Sequence, residues 1–298
     1  MDFRTPELEE MAAEVIPGDH FRLSAQDARD KFFATSWMLD EKQLVHNRFR
    51  TNPRSMLDHL LDNLALTGSE ELLDLGCGNG FVLEHLRPYL AAGHIVGLDI
   101  APGVLAAARQ RLEGVATPCE WYEGSADDLS RFATDSFDRV MANYMMHYVP
   151  DIGRCLAEAR RVLRPGGRFM LTTDRPDSMV EMYQVHFAAL TAMNAPQRLF
   201  KATPKARISL ENGHGQLAGH FASVETRTWQ DQLQFATAEP FLRFYRAHNY
   251  CCAASEPGDL SEDFFTELET RVRAQVQQVI DDRGFFAVTK FTGSFICR

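Results

Sequence analysis

The segment DLGCGNG has the residue types and spacing of a ligand-binding turn, because an aspartate is followed by three glycines at alternate positions. Gly76, Gly78 and Gly80 have no Cβ atom, so a ligand can approach the backbone of this turn closely. A second aspartate, Asp99, ends an apolar stretch further along the chain, where its carboxylate can accept hydrogen bonds from both hydroxyls of a ribose. The G-x-G-x-G spacing differs from the G-x-G-x-x-G of dinucleotide-binding folds. These residues predict a site for a ribose-containing ligand other than NAD.

Short apolar runs and helical patterns alternate around these residues. The run ELLDL, residues 71–75, has the pattern of a buried strand and directly precedes the glycines. Further strands are predicted at residues 94–100, 118–124, 137–144 and 168–173. The helix predicted at 151–163 stops at Pro165-Gly166-Gly167. Strands and helices that alternate at this spacing form a parallel sheet with helices on both faces. The glycine turn then joins the first strand to a helix N-terminus, whose free N–H groups carry partial positive charge.

The two ends of the chain differ from this core. Residues 1–55 contain helical patches without strand pairs, and residues 178–283 are mainly helical around a predicted sixth strand. Residues 284–298, rich in β-branched and aromatic side chains, have the pattern of a seventh, closing strand. We therefore predict an α/β fold in which an N-terminal helical cap and a helical insertion flank a core of residues 56–177.

Composition narrows the class of partner. A net charge of −10 disfavours binding to nucleic acid or to an anionic membrane surface. No apolar run approaches the ~20 residues that span a bilayer, and the N-terminus lacks the pattern of a secretion signal. The six cysteines show no C-x-x-C spacing, which predicts neither a zinc site nor a disulfide framework. We predict a cytoplasmic protein with a small-molecule partner and no metal; the sequence leaves a homodimer open.

Five segments, in order, resemble the class I S-adenosylmethionine-dependent methyltransferases. The family's first motif, (D/E)-x-G-x-G-x-G, matches DLGCGNG, and its second-strand acid matches Asp99. The later segments GSADDL, FDRVMANYMMHYVPD and ARRVLRPGGRFML match its third motif, its fourth strand and the turn into its fifth strand. The resemblance covers roughly residues 55–175. It implies a seven-stranded Rossmann-like sheet, S-adenosylmethionine as cofactor and no requirement for a metal.

The resemblance also implies which residues contact the cofactor. They are Asp74, Gly76, Cys77, Gly78, Gly80, Asp99, Ile100, Ser125, Ala126 and Asn143. Asp99 would hold the ribose hydroxyls, Ile100 would pack on the adenine, and Asn143 would carry the methionine end. Ser125 stands where the family usually has an aspartate that accepts from the adenine amino group. A hydroxyl accepts without charge assistance, so Asp127 is an alternative acceptor.

A histidine beyond the fourth strand is the candidate general base. An unperturbed imidazole pKa near ~6.5 suits His147 for removing a proton at neutral pH. The alternative is a structural histidine of the loop. His186, on an apolar helical face, is a second candidate, although such a histidine is more often part of a core. The residues predicted to contact the substrate are Trp37, Tyr144, Met182 and His186.

The predicted function is methyl transfer to a small hydrophobic or aromatic molecule, with oxygen favoured over nitrogen or carbon as acceptor. The overall layout is similar to that of bacterial natural-product enzymes. Methylation of RNA or protein is an alternative. The acidic charge and the lack of Asn-Pro-Pro-Tyr after the fourth strand disfavour methylation of a base nitrogen in nucleic acid. A second alternative is a protein that binds the cofactor without methyl transfer, because the glycine turn and Asp99 indicate binding alone.

Overall fold

The computed structural model describes residues 24–200, 207–248 and 260–298, so the predictions for residues 1–23 and for parts of the helical insertion lie outside the described residues. In the described part of the chain, seven strands form one sheet. In chain order they are β1 Glu71–Leu75, β2 His94–Asp99, β3 Cys119–Glu123, β4 Phe137–Asn143, β5 Leu163–Asp174, β6 Val224–Phe235 and β7 Phe286–Cys297. Their spatial order is β3-β2-β1-β4-β5-β7-β6, which confirms the predicted seven-stranded Rossmann-like sheet.

The direction and order of the strands place the glycine turn at the point where the strand order reverses. Strands β1 to β5 pair in parallel, whereas β7 pairs antiparallel with both β5 and β6. The strand order reverses at β1, because β2 lies on one side of it and β4 on the other. In open α/β sheets, ligands bind in the crevice at the carboxyl ends of the strands where the order reverses. The glycine turn follows β1 directly and therefore lies at this crevice.

Helices surround the sheet on the described part of the chain. Those of six residues or more are α1 Trp37–Phe49, α2 Met56–Leu64, α3 Phe81–Leu86, α4 Pro102–Arg111, α5 Ile152–Val162, α6 Val180–Ala192, α7 Gly213–Ala218, α8 Ala238–Ala247 and α9 Glu262–Arg283. Local sequence explains where some begin. Ser55 starts α2 with a capping box, since its Oγ accepts from the Asp58 N–H while the Asp58 carboxylate accepts from the Ser55 N–H.

The predicted start of the fifth strand, at residue 168, is wrong. Helix α5 ends at Val162 and β5 begins at once at Leu163, so Pro165-Gly166-Gly167 belongs to the first part of the strand. The reason is pairing: Leu163 lies opposite Phe137 of β4, and the register then shifts between Phe137 and Arg139 before regular pairing resumes. Strand β5 is therefore longer than the predicted 168–173.

The helical insertion has its own buried cluster. Helices α6, α8 and α9 pack on β6 and β7 around large side chains that include Phe235, Phe241, Phe244, Tyr245 and Phe286. Because β6 and β7 belong to the main sheet, the insertion shares that sheet with the core. None of the described helices has the length and apolar character needed to cross a bilayer.

Candidate functional site

The glycine turn has backbone angles that favour glycine at all three positions. Gly76, Gly78 and Gly80 have φ of 67°, 54° and 75°, in the left-handed region that side chains rarely adopt. A Cβ on Gly76 would lie 2.7 Å from Met145 Cγ. A Cβ on Gly80 would lie 3.1 Å from Ala108 Cα, so this glycine lets α3 pack against α4. Gly80 thus serves helix packing, while its predicted contact with the cofactor stays a prediction.

A cavity of about 220 Å³, the first cavity, opens at the crevice beside the turn. It is lined by the other nine predicted cofactor residues: Asp74, Gly76, Cys77, Gly78, Asp99, Ile100, Ser125, Ala126 and Asn143. These residues come from the carboxyl ends of β1, β2 and β4 and from the loop after β3. The structure therefore brings together the groups that the sequence placed at one ligand.

Asp99 supports the turn as well as facing the cavity. Its Oδ2 accepts from the Gly78 N–H at 2.8 Å, and its Oδ1 accepts from the Ala101 N–H at 3.0 Å. Burial raises the pKa of this carboxyl above its usual value, although these backbone hydrogen bonds oppose the effect. Each carboxylate oxygen has two lone pairs, so the group retains capacity to accept from a ligand.

Two other side chains in the first cavity carry buried polar atoms without a partner. Asp74 Oδ1 and both terminal atoms of Asn143, Oδ1 and Nδ2, make no hydrogen bond to any described residue. Burial, with the charge of Asp99 as a smaller cause, raises the pKa of Asp74 well above its usual value. Buried polar groups in native proteins are nearly always paired, so these atoms indicate a polar ligand. Their chemistry fits the amino-acid end of S-adenosylmethionine.

Ser125 and Asp127, the two alternative adenine contacts, form one hydrogen-bonded pair. The Ser125 hydroxyl donates to Asp127 Oδ1 in a short contact. Asp127 Oδ2 in turn accepts from the Asp151 N–H at 3.3 Å, and only Ser125 of the pair lines the first cavity. Asp127 is therefore placed to orient the Ser125 hydroxyl, whose oxygen keeps capacity to accept.

The N-terminal helix α1 is tied to the glycine turn. Asn79 Nδ2 donates to Asp40 Oδ1 at 2.7 Å and to Gln43 Oε1 at 2.9 Å. Leu39 of α1 reaches the turn itself, because a Cβ on Gly78 would lie 2.9 Å from Leu39 Cδ1. Trp37, however, lines neither cavity and its side chain is 49% exposed. Phe33 and Leu39 line the first cavity, and the substrate contact of Trp37 stays a prediction.

A second cavity of about 290 Å³ adjoins the first. Phe33, Leu39, Tyr144 and Tyr148 line both. Tyr144, a predicted substrate contact, lies at their junction with a left-handed φ of 56°. Its Oη shares a hydrogen bond of 3.1 Å with Thr292 Oγ1, and burial raises the pKa of the phenol. A ligand in the second cavity would thus meet a ligand in the first beside Tyr144.

His147 lines the second cavity and not the first. It lies in the 3₁₀ turn Met146–Tyr148 just after β4, and it is 8% exposed. Its carbonyl oxygen accepts from Arg207 Nη1 at 3.0 Å, which fixes the turn from the insertion side. The position fits the predicted general base, while its catalytic role stays a prediction.

Met182 and His186, two of the predicted substrate contacts, lie away from both cavities. Both are buried, and neither lines either cavity. His186 Nδ1 lies 2.7 Å from Tyr245 Oη, and burial lowers the pKa of its imidazole to about 3. The physical reason is the orientation of α6, which turns this face toward α8 and α9. His186 is a core histidine.

Sequence reasoning missed the charged side chains of the second cavity. Buried Lys290 of β7 and Asp174 at the end of β5 form an ion pair at 3.2 Å. Asp231 of β6 and Lys42 of α1 also line this cavity. The available signal was a charged residue inside an apolar strand, as in FAVTKFTG. No cluster of His, Cys, Asp or Glu among residues 24–200, 207–248 and 260–298 is arranged to hold a metal ion.

Comparison with known proteins agrees with this geometry. Residues 73–171 match a protein-family model described as "Methyltransferase domain". This segment is similar to methyltransferase domains, which agrees with the resemblance to class I S-adenosylmethionine-dependent methyltransferases. The match spans β1 to β5, the part of the sheet that surrounds the first cavity.

Individual relatives match the same part of the chain. A malonyl-[acyl-carrier protein] O-methyltransferase of Legionella pneumophila is 36% identical over 119 residues, 40% of this chain and 41% of that protein. A ubiquinone biosynthesis O-methyltransferase of Aromatoleum aromaticum is 30% identical over 117 residues, 39% of this chain and 49% of that protein. The chain thus spans less than half the length of these relatives. The solved structure of the [4+2]-cyclase SpnF shares the fold over 94% of this chain and 99% of its own, with 16% identity and a TM-score of 0.56.

Proposed function

We propose that this protein transfers a methyl group from S-adenosylmethionine in the first cavity to a small molecule in the second. The observation that carries the proposal is the junction of the two cavities at Tyr144. One cavity presents the family's cofactor residues and the other presents His147. A volume of about 290 Å³ lies just below the range for drug-sized ligands, roughly 300–1,000 Å³, and suits a small acceptor.

Each part of the first cavity has a role in holding the donor. S-Adenosylmethionine would supply a methyl group on a positively charged sulfur. Asp99 would accept from the ribose hydroxyls, and Asn143 and Asp74 would satisfy the amino-acid end with their unpaired atoms. Helix α1, linked to Asn79, would keep water from the reacting atoms. Alignment of this kind supplies much of a catalysed rate.

His147 would act on the acceptor from the second cavity. An oxygen nucleophile must lose its proton as the new bond forms, and an imidazole in this cavity can take it. This role favours O-methylation over methylation of nitrogen or carbon. The relatives named above as O-methyltransferases support the same choice. The natural-product setting, the apolar or aromatic character of the acceptor and the cytoplasmic location stay predictions.

Two other functions are kept as alternatives. Methylation of RNA or protein fits less well with a net charge of −10 and an acceptor cavity of small-molecule size. A protein that binds the cofactor without methyl transfer is the alternative of another class. The fold alone does not decide against it, since a neighbour with this fold is named a cyclase.

The test begins with cofactor binding. Calorimetry should show that S-adenosylmethionine and S-adenosylhomocysteine bind, and that NAD does not. Asp99→Ala should lower the affinity about ten- to a hundredfold for each charge-assisted hydrogen bond lost. The matched control is Asp281→Ala, an exposed aspartate near the end of α9, which should bind like the wild type.

Turnover then separates the remaining alternatives. Release of S-adenosylhomocysteine in the presence of a panel of small phenols and alcohols, with methyl ether as product, would support the proposal. Undiminished binding in Asp99→Ala would refute the cofactor assignment. Tight cofactor binding with methylation of RNA or protein, but of no small molecule, would favour the first alternative.

A further inference from the structure

Asp231 of β6 lines the second cavity although its side chain is fully buried. Its Oδ1 accepts three backbone N–H groups, from Thr51 at 3.0 Å, Asn52 at 2.9 Å and Gln232 at 2.8 Å. Its Oδ2 is also buried and has no hydrogen-bond partner among the described residues. Oδ1 of this carboxylate is thus fully hydrogen-bonded, whereas Oδ2 has no donor.

The three backbone donors hold the carboxylate in place. They join the chain after α1 to strand β6, and the neighbouring bridge between Arg50 and Leu233 adds to this connection. Rotation of the side chain to satisfy Oδ2 would break these hydrogen bonds. An unpaired buried polar group costs free energy comparable to a lost hydrogen bond, and more when it is charged. Oδ2 is therefore the oxygen that still lacks a hydrogen-bond donor, and its residue lines this cavity.

The charges around Asp231 restrict what that ligand can donate. Lys290 lies directly opposite Asp231 in the β6–β7 ladder, so the two side chains emerge on the same face of the sheet. Lys42 and Arg50 also line this cavity. Asp174 neutralises Lys290 through their ion pair, so a ligand ammonium group at Asp231 would still meet repulsion from Lys42 and Arg50. A neutral hydroxyl donates equally well without this repulsion.

The position of Asp231 separates this contact from the reacting atom. Asp231 lines the second cavity only, whereas the methyl group must arrive from the first cavity beside Tyr144. We propose that Asp231 Oδ2 binds a second, non-reacting hydroxyl of the acceptor, so that the acceptor carries at least two hydroxyl groups. This inference rests on the proposed function for the direction of methyl transfer. Asp231 is a binding residue in it and takes no part in proton transfer.

Binding can be measured without turnover. The probes are resorcinol, hydroquinone and 4,4′-dihydroxybiphenyl, each paired with its mono-methyl ether, with the full chain saturated by S-adenosylhomocysteine. Ligand-observed NMR titrations should show at least one diol bound about ten- to a hundredfold more tightly than its ether. Asp231→Asn should remove this preference, because an amide that keeps Oδ1 on the three backbone donors presents Nδ2 to the ligand hydroxyl.

Glu225→Gln, an exposed change on the same strand, is the matched control and should keep the preference. Circular dichroism should show that ligand-free Asp231→Asn is folded, because the amide Oδ1 can still accept from the three backbone donors. Equal binding of every diol and its ether by the wild type would overturn the inference, with no variant needed. A preference that survives Asp231→Asn would overturn it as well. Diol preference without any methylation would leave the Asp231 site standing and remove the proposed function.

Discussion

The two cavities meet at Tyr144 but obtain their polar groups in different ways. Those of the first cavity, Asp74, Asp99 and Asn143, follow or end neighbouring parallel strands of one sheet edge. Those of the second come from four segments far apart in the chain: Lys42 of α1, Asp174 of β5, Asp231 of β6 and Lys290 of β7. These polar groups of the first cavity therefore depend on the core, whereas those of the second come together only when cap, core and insertion meet. Substitutions in the two cavities should separate donor binding from acceptor chemistry.

The largest effect that we expect from a single substitution is the loss of rate on replacing His147 in the second cavity. If the acceptor is a phenol with a pKa near ~10, little of it is ionised at neutral pH, and a positioned base matters. His147→Ala should lower kcat by a factor of ~10² to 10⁴ while the affinity for S-adenosylmethionine stays nearly unchanged. The acidic limb of the pH–rate profile should vanish, because only the neutral imidazole accepts a proton.

The control is His214→Ala, an exposed histidine of α7 that lines neither cavity. It should keep the rate and the shape of the profile. If His147→Ala retains the acidic limb, the titrating group is another residue. If it retains the full rate at every pH, the acceptor atom is already nucleophilic and His147 is a structural residue of its turn.

The same contrast explains what could be predicted from the sequence. Asp74 and Asp99 were identifiable because a short motif and a strand end place both at one edge of a parallel sheet. Asp231 and Lys290 face each other only through an antiparallel ladder between strands that lie more than 50 residues apart in the chain. No local spacing encodes that pairing. A packing glycine and a ligand-facing glycine have the same sequence signal, so only the nearness of Ala108 reveals the packing role of Gly80.

The cap can be loosened without touching the residues of either cavity. Gly103, in the first turn of α4, lies so close to the N-terminal segment that a Cβ would stand 1.9 Å from the Ala34 carbonyl oxygen. Alanine is otherwise a better helix former than glycine, so Gly103→Ala should leave α4 intact and displace the segment that carries Phe33. We expect the affinity for S-adenosylmethionine to fall about tenfold, equivalent to ~1.4 kcal/mol, in calorimetry.

Gly215→Ala in α7 is the matched control, since a Cβ there meets nothing within 4 Å. It should not change the affinity. A Gly103→Ala variant with wild-type affinity and an unaltered circular-dichroism spectrum would show that the cap does not contribute to the first cavity.

The smallest expected effect is on the pH dependence of stability, and it comes from His186, which is buried in the core, unlike His147 in the second cavity. Burial lowers the pKa of His186 to about 3, so the folded protein keeps this imidazole neutral where the unfolded chain, with a pKa near ~6.5, takes up a proton. Stability is therefore lost as pH falls below the unfolded value. Between pH ~6.5 and ~5.5 this one group should account for about 1 kcal/mol of that loss.

Denaturant unfolding tests this expectation. The free energy of unfolding of His186→Gln should depend less steeply on pH over this range than that of the wild type. Exposed His214→Gln should follow the wild type, since its environment changes little on unfolding. An unchanged slope in His186→Gln would mean that the imidazole gains its proton in the folded state, and the contact with Tyr245 Oη would then have to accommodate a cation.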